Sequence, residues 1–432
     1  MTVDWKRNSV QVAGTAVIGI SAGLAAVGFH EGMVWLSRTI TSTASGWPLW
    51  QFGLLVLAAM AAGAVVTGML MTRFAPDAPG SGIPQVKTAY HTGRLEFSWN
   101  LIWVKFFGGI LSIGTGSSLG REGPTIHIGA AIASKIAGFL GEDTAAKSNA
   151  VCAGSAAGLA AAFSSPLAGV TLVLEEIAGG KNQNKFAGRS LLAAALASFV
   201  VYSLTDGAAS LPIGPDILMS WKAFWLSPVV AVVAGLAGLL FQWGTLALRS
   251  RMKHSRLSVP VRLGLGAFSA GLLALGAFAL TGRLGVFGLG ETDLLAALNN
   301  QIIWPAALCL LVAKIAATAL CYGTGGCGGI FAPIIFFGGM AGVLVHGLAA
   351  PWLGLTPQDQ TLLALVGMTA CLGAVVRAPL TSILIVIEMT WQIHVLPALM
   401  VAAVISVFMN RLAFQGNFYD EALRQDGVVL PD

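Results

Sequence analysis

Charged residues are scarce in this chain, and their scarcity is its first informative property. Among 432 residues, only 10% are Asp, Glu, Lys or Arg, whereas 56% are hydrophobic. A soluble domain carries about 25% charged residues, so the composition excludes an ordinary soluble protein. It predicts an all-α integral membrane protein, because helices satisfy their own backbone hydrogen bonds in lipid.

Cysteine is also rare, and its spacing excludes several chemistries. The five cysteines lie in or beside apolar segments, without a CxxC pair or a histidine at metal-ligand spacing. We therefore expect small buried side chains and no metal site. The chain also lacks a Ser-His-Asp order and a phosphate-cradling loop. The sequence predicts a protein that is not an enzyme and that needs no cofactor.

Uninterrupted apolar runs are fewer than the composition suggests. Glycine breaks many of them, and several fall short of the roughly 20 residues that a straight span needs. Such segments predict tilted, broken and re-entrant helices, which are tolerated where protein covers the exposed backbone. The apolar stretches cover residues 10–36, 52–71, 101–113, 126–140, 191–204, 224–248, 263–280 and 304–412.

Much of the positive charge lies in one short linker between two apolar stretches. Short loops rich in Lys and Arg lie in the cytoplasm, so we expect this linker there. Its basic residues have no aromatic residues between them, so we expect a lipid bilayer and no nucleic acid as partner. The basic residues are Arg249, Arg251, Lys253, His254, Arg256 and Arg262.

The chain also contains an internal repeat. Residues 105–124 match residues 314–333, with Gly-Thr-Gly at the same place in both. Residues 166–175 match residues 379–388, at an offset that is larger by four residues. Collinear matches at nearly one offset predict a duplicated structural unit.

We expect residues 1–210 to form a first membrane repeat and residues 211–432 a second, within a single transmembrane domain. In transporters built this way, broken helices from both halves point at a shared site near the bilayer midplane. Lys105 and Lys314 occupy equivalent repeat positions inside apolar segments. We expect both side chains to extend toward a membrane surface.

Residues 120–124, Gly-Arg-Glu-Gly-Pro, place an ionisable pair at the start of an apolar helix. A carboxylate within a membrane segment indicates a functional site. The flanking glycines let backbone N–H groups turn toward a ligand, and Pro124 suits a first helical turn whose dipole favours anions. The segment predicts an anion site plugged by Glu122. The alternative is a buried Arg121–Glu122 ion pair that holds a loop.

Two further glycine loops precede helices. Residues 80–84, Gly-Ser-Gly-Ile-Pro, present the Ser81 hydroxyl before a helix start. Residues 328–333, Gly-Gly-Ile-Phe-Ala-Pro, give the second half a helix start with free N–H groups. Each pattern alone is also common in ordinary turns.

Together the three loops, in this order and spacing, resemble the signature set of the CLC family of chloride channels and chloride/proton exchangers. The resemblance covers nearly the whole chain, as far as Tyr419, and includes residues 154–163 and 166–169. It implies an inverted-repeat CLC-type fold and a homodimer with a separate anion pathway in each subunit. No soluble domain follows Tyr419, so we expect no C-terminal regulatory module.

The resemblance also implies an anion site and a gate. Ser81 and Tyr419 would donate hydroxyl hydrogen bonds to a central chloride, and the backbone N–H groups of Ile330 and Phe331 would complete that site. Glu122 matches the external gate of the family, with Arg121 and Gly123 supporting it. A charged carboxylate competes with chloride for the anion path, and a protonated one yields to chloride.

A second acidic position follows from the same resemblance. Glu176 matches the internal proton-transfer glutamate that separates exchangers from most channels of the family. Its neighbour Glu175 points elsewhere, because adjacent helical residues diverge by about 100°, and we expect it to be structural, like its repeat mate Glu388. The alternative is that Glu176 is an interfacial carboxylate that pairs with nearby lysines such as Lys181.

Both glutamates together favour a proton-coupled chloride exchanger of a bacterial inner membrane. A passive chloride-selective channel of the same fold is the alternative. Serine at position 81 favours chloride, because nitrate-selective relatives tend to carry proline there and fluoride-exporting relatives depart from the pattern of residues 80–84. A transporter of cations or neutral solutes would need helix C-termini facing the site, whereas these glycine loops precede helices.

Overall fold

The computed structural model describes residues 5–43, 46–179, 183–205, 210–214, 217 and 220–430, and its regular structure there is helical apart from one isolated bridge. A π-helical turn, Val173–Ile177, continues α7, and a short 3-10 turn, Ile393–Val395, precedes α16. The α-helices of the described residues are α1 Trp5–Thr43, α2 Leu49–Phe74, α3 Ile83–Thr92, α4 Trp99–Gly114, α5 Glu122–Phe139, α6 Thr144–Phe163, α7 Pro166–Leu172, α8 Gln183–Leu204, α9 Trp221–Lys253, α10 Val259–Thr281, α11 Glu291–Leu298, α12 Trp304–Gly323, α13 Phe331–Leu353, α14 Pro357–Val376, α15 Pro379–Thr390, α16 Leu396–Ala413 and α17 Phe418–Gln425.

The helices suit a bilayer in length and surface. Nine helices among the described residues are long and apolar enough to cross a membrane. Large apolar side chains lie exposed on the outer surface, including those of Trp35, Phe199, Trp225 and Leu412. Exposing such a surface to water would be costly in a soluble protein, whereas lipid tails are as apolar as these side chains. The prediction of an all-α, multi-pass membrane protein is confirmed.

Several helices are short or broken. The apolar stretch 304–412 divides into α12 to α16, and α15 has only 12 residues. α3 has 10 residues and α17 has eight, fewer than the roughly 20 that cross a bilayer. The prediction of broken helices is therefore confirmed.

Glycine lets two helix pairs approach closely. A Cβ atom added to Gly129 on α5 would lie 2.3 Å from the carbonyl oxygen of Gly154 on α6. A Cβ atom at Gly338 on α13 would lie 2.1 Å from the carbonyl oxygen of Gly367 on α14. Close backbone contact is how helices pack tightly in membranes, where lipid removes the hydrophobic drive between them. These contacts fix α5 and α13, the two helices that begin at the candidate site.

The expectation for the two buried lysines is wrong. Lys105 and Lys314 are fully buried and do not reach a membrane surface. Lys105 Nζ donates to the carbonyl oxygens of Ala78 at 2.7 Å and Gly80 at 2.6 Å, and Lys314 Nζ donates to that of Gly288 at 2.6 Å. Glycine loops leave carbonyl groups without helical partners, and in a dry interior those groups need a donor. The lysines therefore hold the loops in place.

The proposed border between the repeats lies only partly in the described residues. Residues 206–209, 215–216 and 218–219 are outside them. The division at residue 210 stays a prediction.

Candidate anion site

Two helices from distant parts of the chain begin at one point inside the protein. α5 begins at Glu122 and α13 at Phe331, and the segments before them are joined by two hydrogen bonds of 2.7 Å between Gly120 and Gly329. Free N–H groups at helix starts, together with the helix dipoles, favour a negative charge at such a point. The structure thus brings together the two glycine loops that the sequence singled out.

The Glu122 side chain occupies this junction. It is fully buried, and its Oε1 atom accepts a hydrogen bond of 3.2 Å from the backbone N–H of Ala332 in the first turn of α13. Its Oε2 atom has no hydrogen-bond partner among the described residues. The carboxylate therefore occupies a place where a helix start offers hydrogen bonds to an anion.

Glycine makes room for this carboxylate. A Cβ atom at Gly120 would lie 2.1 Å from Glu122 Oε1, and one at Gly329 would lie 2.6 Å from the same atom. No side chain fits at either distance. The position of the Glu122 carboxylate therefore requires glycine at residues 120 and 329, in addition to any requirement of the turn.

The Ser81 loop packs directly against the start of α5. Ser81 is fully buried between Gly80 and Gly82, which have φ angles of +74° and +94° that favour glycine. The Ser81 Oγ atom accepts a hydrogen bond of 3.3 Å from the backbone N–H of Ile83, which leaves its hydroxyl hydrogen for another partner. A Cβ atom at Gly123 would lie 2.7 Å from the Ser81 Cβ atom. Gly123 thereby lets the gate helix and the serine loop touch.

Tyr419 reaches the site from the C-terminal helix α17. Its side chain is fully buried and stacks on Phe331, with ring centroids 6.4 Å apart. Its hydroxyl group makes no hydrogen bond of standard geometry among the described residues, and it lies near the Ser81 side chain. A buried hydroxyl normally has a partner, so this group is available to a ligand. Ile330 is fully buried as well and immediately precedes α13.

Arg121 does not pair with its neighbour Glu122. Its guanidinium group lies 3.0 Å from Glu291 Oε1 and donates to His30 Nδ1. The alternative of a buried Arg121–Glu122 ion pair is therefore wrong. Because Arg121 is held by α1 and α11, it fixes the backbone immediately before the gate.

Two cavities approach the junction from opposite ends of the same helices. A cavity of about 770 Å³ opens at the end of α2 and the starts of α4 and α10, and it reaches Ser81. A cavity of about 600 Å³ opens at the other ends of those helices and reaches His30 and Glu291, the partners of Arg121. Glu122 itself lines neither cavity, but its chain neighbours Gly123 and Arg121 contact residues that do, Ser81 on one side and His30 and Glu291 on the other.

Glu176 lies in the π-helical turn and is held by two side chains, those of Lys87 and Asn417. Its exposed fraction is only 2%. Lys87 Nζ lies 2.9 Å from Glu176 Oε1, and Asn417 donates to Glu176 Oε2. Lys87 Nζ also lies 2.7 Å from Asp420 Oδ1. Glu176 does pair with a lysine, but as a buried group rather than an interfacial one, and Lys181 lies outside the described residues.

Glu175 and Glu388 make reciprocal contacts with the starts of two short helices. Glu175 accepts hydrogen bonds from the backbone N–H groups of Leu380 and Thr381 at 3.0 and 2.8 Å. Glu388 accepts the equivalent bonds from Leu167 and Ala168 at 3.0 and 2.8 Å. A carboxylate at a helix N-terminus is stabilised by the free N–H groups and the dipole. These contacts support the prediction that both residues are structural, which stays a prediction.

No group of three or more metal-binding side chains occurs among the described residues. The five cysteines are free. The expectation that the protein uses no cofactor stays a prediction.

Sequence reasoning missed three polar residues beside the site. Lys87 and Asn417 contact Glu176, and the Tyr322 hydroxyl lies 3.3 Å from the position of a Cβ atom on Gly80. A buried lysine needs an acidic partner, but the sequence alone shows neither that Lys87 is buried nor which carboxylate it meets. The other two had no sequence signal that distinguished them from packing residues.

Comparisons with known proteins agree in sequence and in structure. A family model described as voltage gated chloride channel matches residues 62–411. The H(+)/Cl(-) exchange transporter ClcA of Vibrio vulnificus (strain YJ016) is 32% identical over 425 residues, which cover 95% of this chain and 88% of that protein. ClcA of Vibrio cholerae serotype O1 (strain M66-2) is 33% identical over 423 residues, with the same coverage.

Two solved structures are similar over nearly their whole length. A slow cyanobacterial Cl-/H+ antiporter has a TM-score of 0.84 at 26% identity, and the match covers 96% of this chain and 98% of that one. A CLC-type fluoride/proton antiporter has a TM-score of 0.81 at 24% identity, and the match covers 98% and 99%. The second likeness shows the fold alone.

Proposed function

The chain belongs to the voltage-gated chloride channel family, and we propose that it exchanges chloride for protons across a membrane. The chain therefore has the inverted-repeat CLC-type helical fold, and it is a transport protein rather than an enzyme. Relatives at 32% and 33% identity are named H(+)/Cl(-) exchange transporters. The exchange function for this chain rests on those relatives together with its two buried glutamates.

Glu122 is the external gate in this proposal, and one observation carries it. The Glu122 carboxylate accepts a hydrogen bond from the backbone N–H of Ala332 at the start of α13. An anion bound there would use the same N–H group, so the carboxylate and chloride compete for one place. Protonation removes the charge of Glu122, weakens its hold on the helix start and leaves the place to chloride. Arg121 and Gly123 support the gate from either side.

The central chloride site consists of two hydroxyl groups and a helix start. Ser81 and Tyr419 offer buried hydroxyl groups, and Ile330 and Phe331 precede and begin α13. The unpartnered Tyr419 hydroxyl supports this assignment. Ser81 in its glycine loop favours chloride. Binding isotherms in which fluoride or nitrate binds more tightly than chloride would overturn that preference.

Glu176 is the internal proton-transfer residue in this proposal. It is buried, and it belongs to a turn that packs against α3 and α6. A carboxylate buried in a membrane protein is costly unless it serves a proton or ion pathway. Two titratable carboxylates, one at each end of the central site, are what coupling of chloride to protons requires.

The larger assembly follows from the family resemblance. We place the protein in a cell inner membrane as a homodimer, with one anion pathway per subunit and with chloride and protons as its substrates. Residues 1–210 and 211–432 are the two repeats whose helix starts meet at the gate. The hydrogen-bonded Gly120–Gly329 pair joins the helix starts of these two proposed halves.

Ion flux in sealed liposomes tests the exchange function. We expect the purified wild type under a chloride gradient to drive protons uphill. Glu122→Gln and Glu176→Gln should each lower proton movement at least about tenfold, as expected when a positioned proton-transfer group is lost, and both should leave a chloride flux. Glu96→Gln is the matched control, because the Glu96 side chain is 78% exposed and pairs with Lys147 at the surface.

The passive channel is the outcome that would contradict exchange. A wild type that conducts chloride without any uphill proton movement would mean that the chain is a channel of the same fold.

A further inference from the structure

A continuous chain of hydrogen bonds connects buried Glu176 to a partly exposed carboxylate. Lys87 Nζ donates to Glu176 Oε1 at 2.9 Å and to Asp420 Oδ1 at 2.7 Å. The exposed fractions of the three side chains rise along this chain, from 2% for Glu176 to 10% for Lys87 and 32% for Asp420. Water therefore meets Asp420 first and Glu176 last.

The other oxygen of Glu176 is covered by a group that does not titrate. Asn417 donates its side-chain amide to Glu176 Oε2 and also to the carbonyl oxygen of Val376. A carboxamide has no proton to give at ordinary pH. Within the described residues, the contact between Lys87 and Oε1 is thus the one charged contact of the Glu176 carboxylate.

The neighbouring charged groups have other partners, although Arg377 also lies close enough to Asp420 to attract its charge. Glu175 has both oxygens on the start of α15, and Glu421 pairs with Arg424. Arg249 on α9 pairs with Asp426, and Arg377 after α14 donates to carbonyl groups at the end of α16 and just beyond it. Other titratable groups on the elements around Lys87 and Asp420 include Tyr90 and His91 on α3, Glu122, His127 and Lys135 on α5, Lys147 and Cys152 on α6, and Tyr419 on α17. Asp420 is the carboxylate that joins Lys87 to the surface.

We propose that Asp420 and Lys87 form a proton relay that loads Glu176. This inference rests on the proposed exchange function, in which Glu176 takes up protons. Protonated Asp420 gives its proton to Lys87 as the Lys87 ammonium gives one of its own protons to Glu176. One O–H bond at Asp420 and one N–H bond at Lys87 break, while one N–H bond at Lys87 and one O–H bond at Glu176 form. Lys87 remains an ammonium, and Asp420 becomes a carboxylate that takes the next proton from water.

The relay makes different demands on its two members. Asp420 must take up and release a proton. Asp420→Asn therefore cannot serve in the relay, whereas Asp420→Glu can. Lys87 must both carry a charge and release a proton. Arginine keeps the charge but does not deprotonate in proteins, so Lys87→Arg separates proton transfer from simple charge pairing.

Full-length protein in sealed liposomes tests the relay, with proton and chloride fluxes measured on the same vesicles. We expect Asp420→Asn and Lys87→Arg each to lower the proton flux at least about tenfold and to leave a chloride flux, so that the chloride-to-proton ratio rises. Asp420→Glu should restore a proton flux. Glu421→Gln, an adjacent carboxylate paired with Arg424, is the matched control and should keep the wild-type ratio.

The chloride flux reports on folding in every variant. If Asp420→Asn fails to conduct chloride, Asp420→Glu and Lys87→Arg still test the relay, because both keep the charge of the residue that they replace. The relay predicts a proton flux in Asp420→Glu and a reduced one in Lys87→Arg. A wild-type ratio in Asp420→Asn or in Lys87→Arg overturns the relay. Absence of proton coupling in the wild type overturns the exchange function instead, so the two failures are distinguishable.

Discussion

At the scale of single residues, the proposed gate depends on two glycines, because a side chain at either position would overlap the Glu122 carboxyl group. Gly120 and Gly329 provide the space that the Glu122 carboxylate fills. The nearest atoms to a Cβ on Gly120 all belong to the Glu122 carboxyl group, at 2.1 to 2.5 Å. Gly120 has a negative φ angle, so alanine there is compatible with the backbone. A substitution at Gly120 therefore meets the Glu122 carboxyl group first.

A double-mutant cycle tests this contact. Gly120→Ala should displace the carboxylate from Ala332 and lower proton transport at least about tenfold. In a Glu122→Ala background the same alanine meets no carboxylate, so it should leave the chloride flux of that variant unchanged. The measurement is flux in liposomes for both single variants and the double variant. Gly276→Ala is the control, because no atom lies within 4 Å of its added Cβ.

A lower chloride flux in the double variant than in Glu122→Ala alone would contradict the account. It would mean that Gly120 serves the fold independently of Glu122.

At the scale of secondary-structure elements, the sequence predicted where helices begin better than it predicted which side chains contact each other. The glycine and proline pattern around Glu122 and before Phe331 marks two helix starts, because these residue types fix the backbone locally. It gave no account of Lys87, which meets Glu176 from 89 positions away in the chain. That contact depends on how α3, α17 and the π-helical turn pack, which no local pattern encodes.

Lys105 and Lys314 illustrate the same limit. Their apolar surroundings in the sequence indicated side chains that reach a surface, whereas both serve carbonyl groups of distant glycine loops. By contrast, the structural roles of Glu175 and Glu388 were predictable, because the repeat equated them.

The reciprocal contacts of Glu175 and Glu388 predict matched effects on stability. Glu388→Gln should weaken the start of α7, and Glu175→Gln the start of α15, each by about 1–2 kcal/mol from the lost charge at a helix N-terminus. We expect comparable drops in the apparent melting temperature of the detergent-purified protein, with the chloride-to-proton ratio unchanged. Glu96→Gln should have a smaller effect, because exposed pairs contribute little.

A large drop for one variant and none for the other would contradict the equivalence of the two contacts. A change in the ratio for either variant would show that the residue serves transport.

At the scale of the whole molecule, the proposed anion site belongs to neither proposed half alone. α5 supplies the Glu122 carboxylate, α13 supplies the N–H group that it binds, and the Gly120–Gly329 bridge joins the two starts. The loop of Ser81 and the C-terminal helix of Tyr419 complete the site from opposite ends of the chain. Chain segments more than 300 residues apart thus meet at one buried point, and cavities approach it from both sides.

Bromide binding observed by crystallography tests the central claim, that Glu122 and a halide compete for the start of α13. Crystals of the wild type and of Glu122→Gln would be grown in bromide, whose anomalous scattering marks its position. The account predicts a bromide peak within hydrogen-bond distance of the Ala332 backbone nitrogen in Glu122→Gln, and a carboxylate without bromide at that place in the wild type. A variant with no bromide near Ala332, or a wild type that holds bromide and the carboxylate there together, would contradict it.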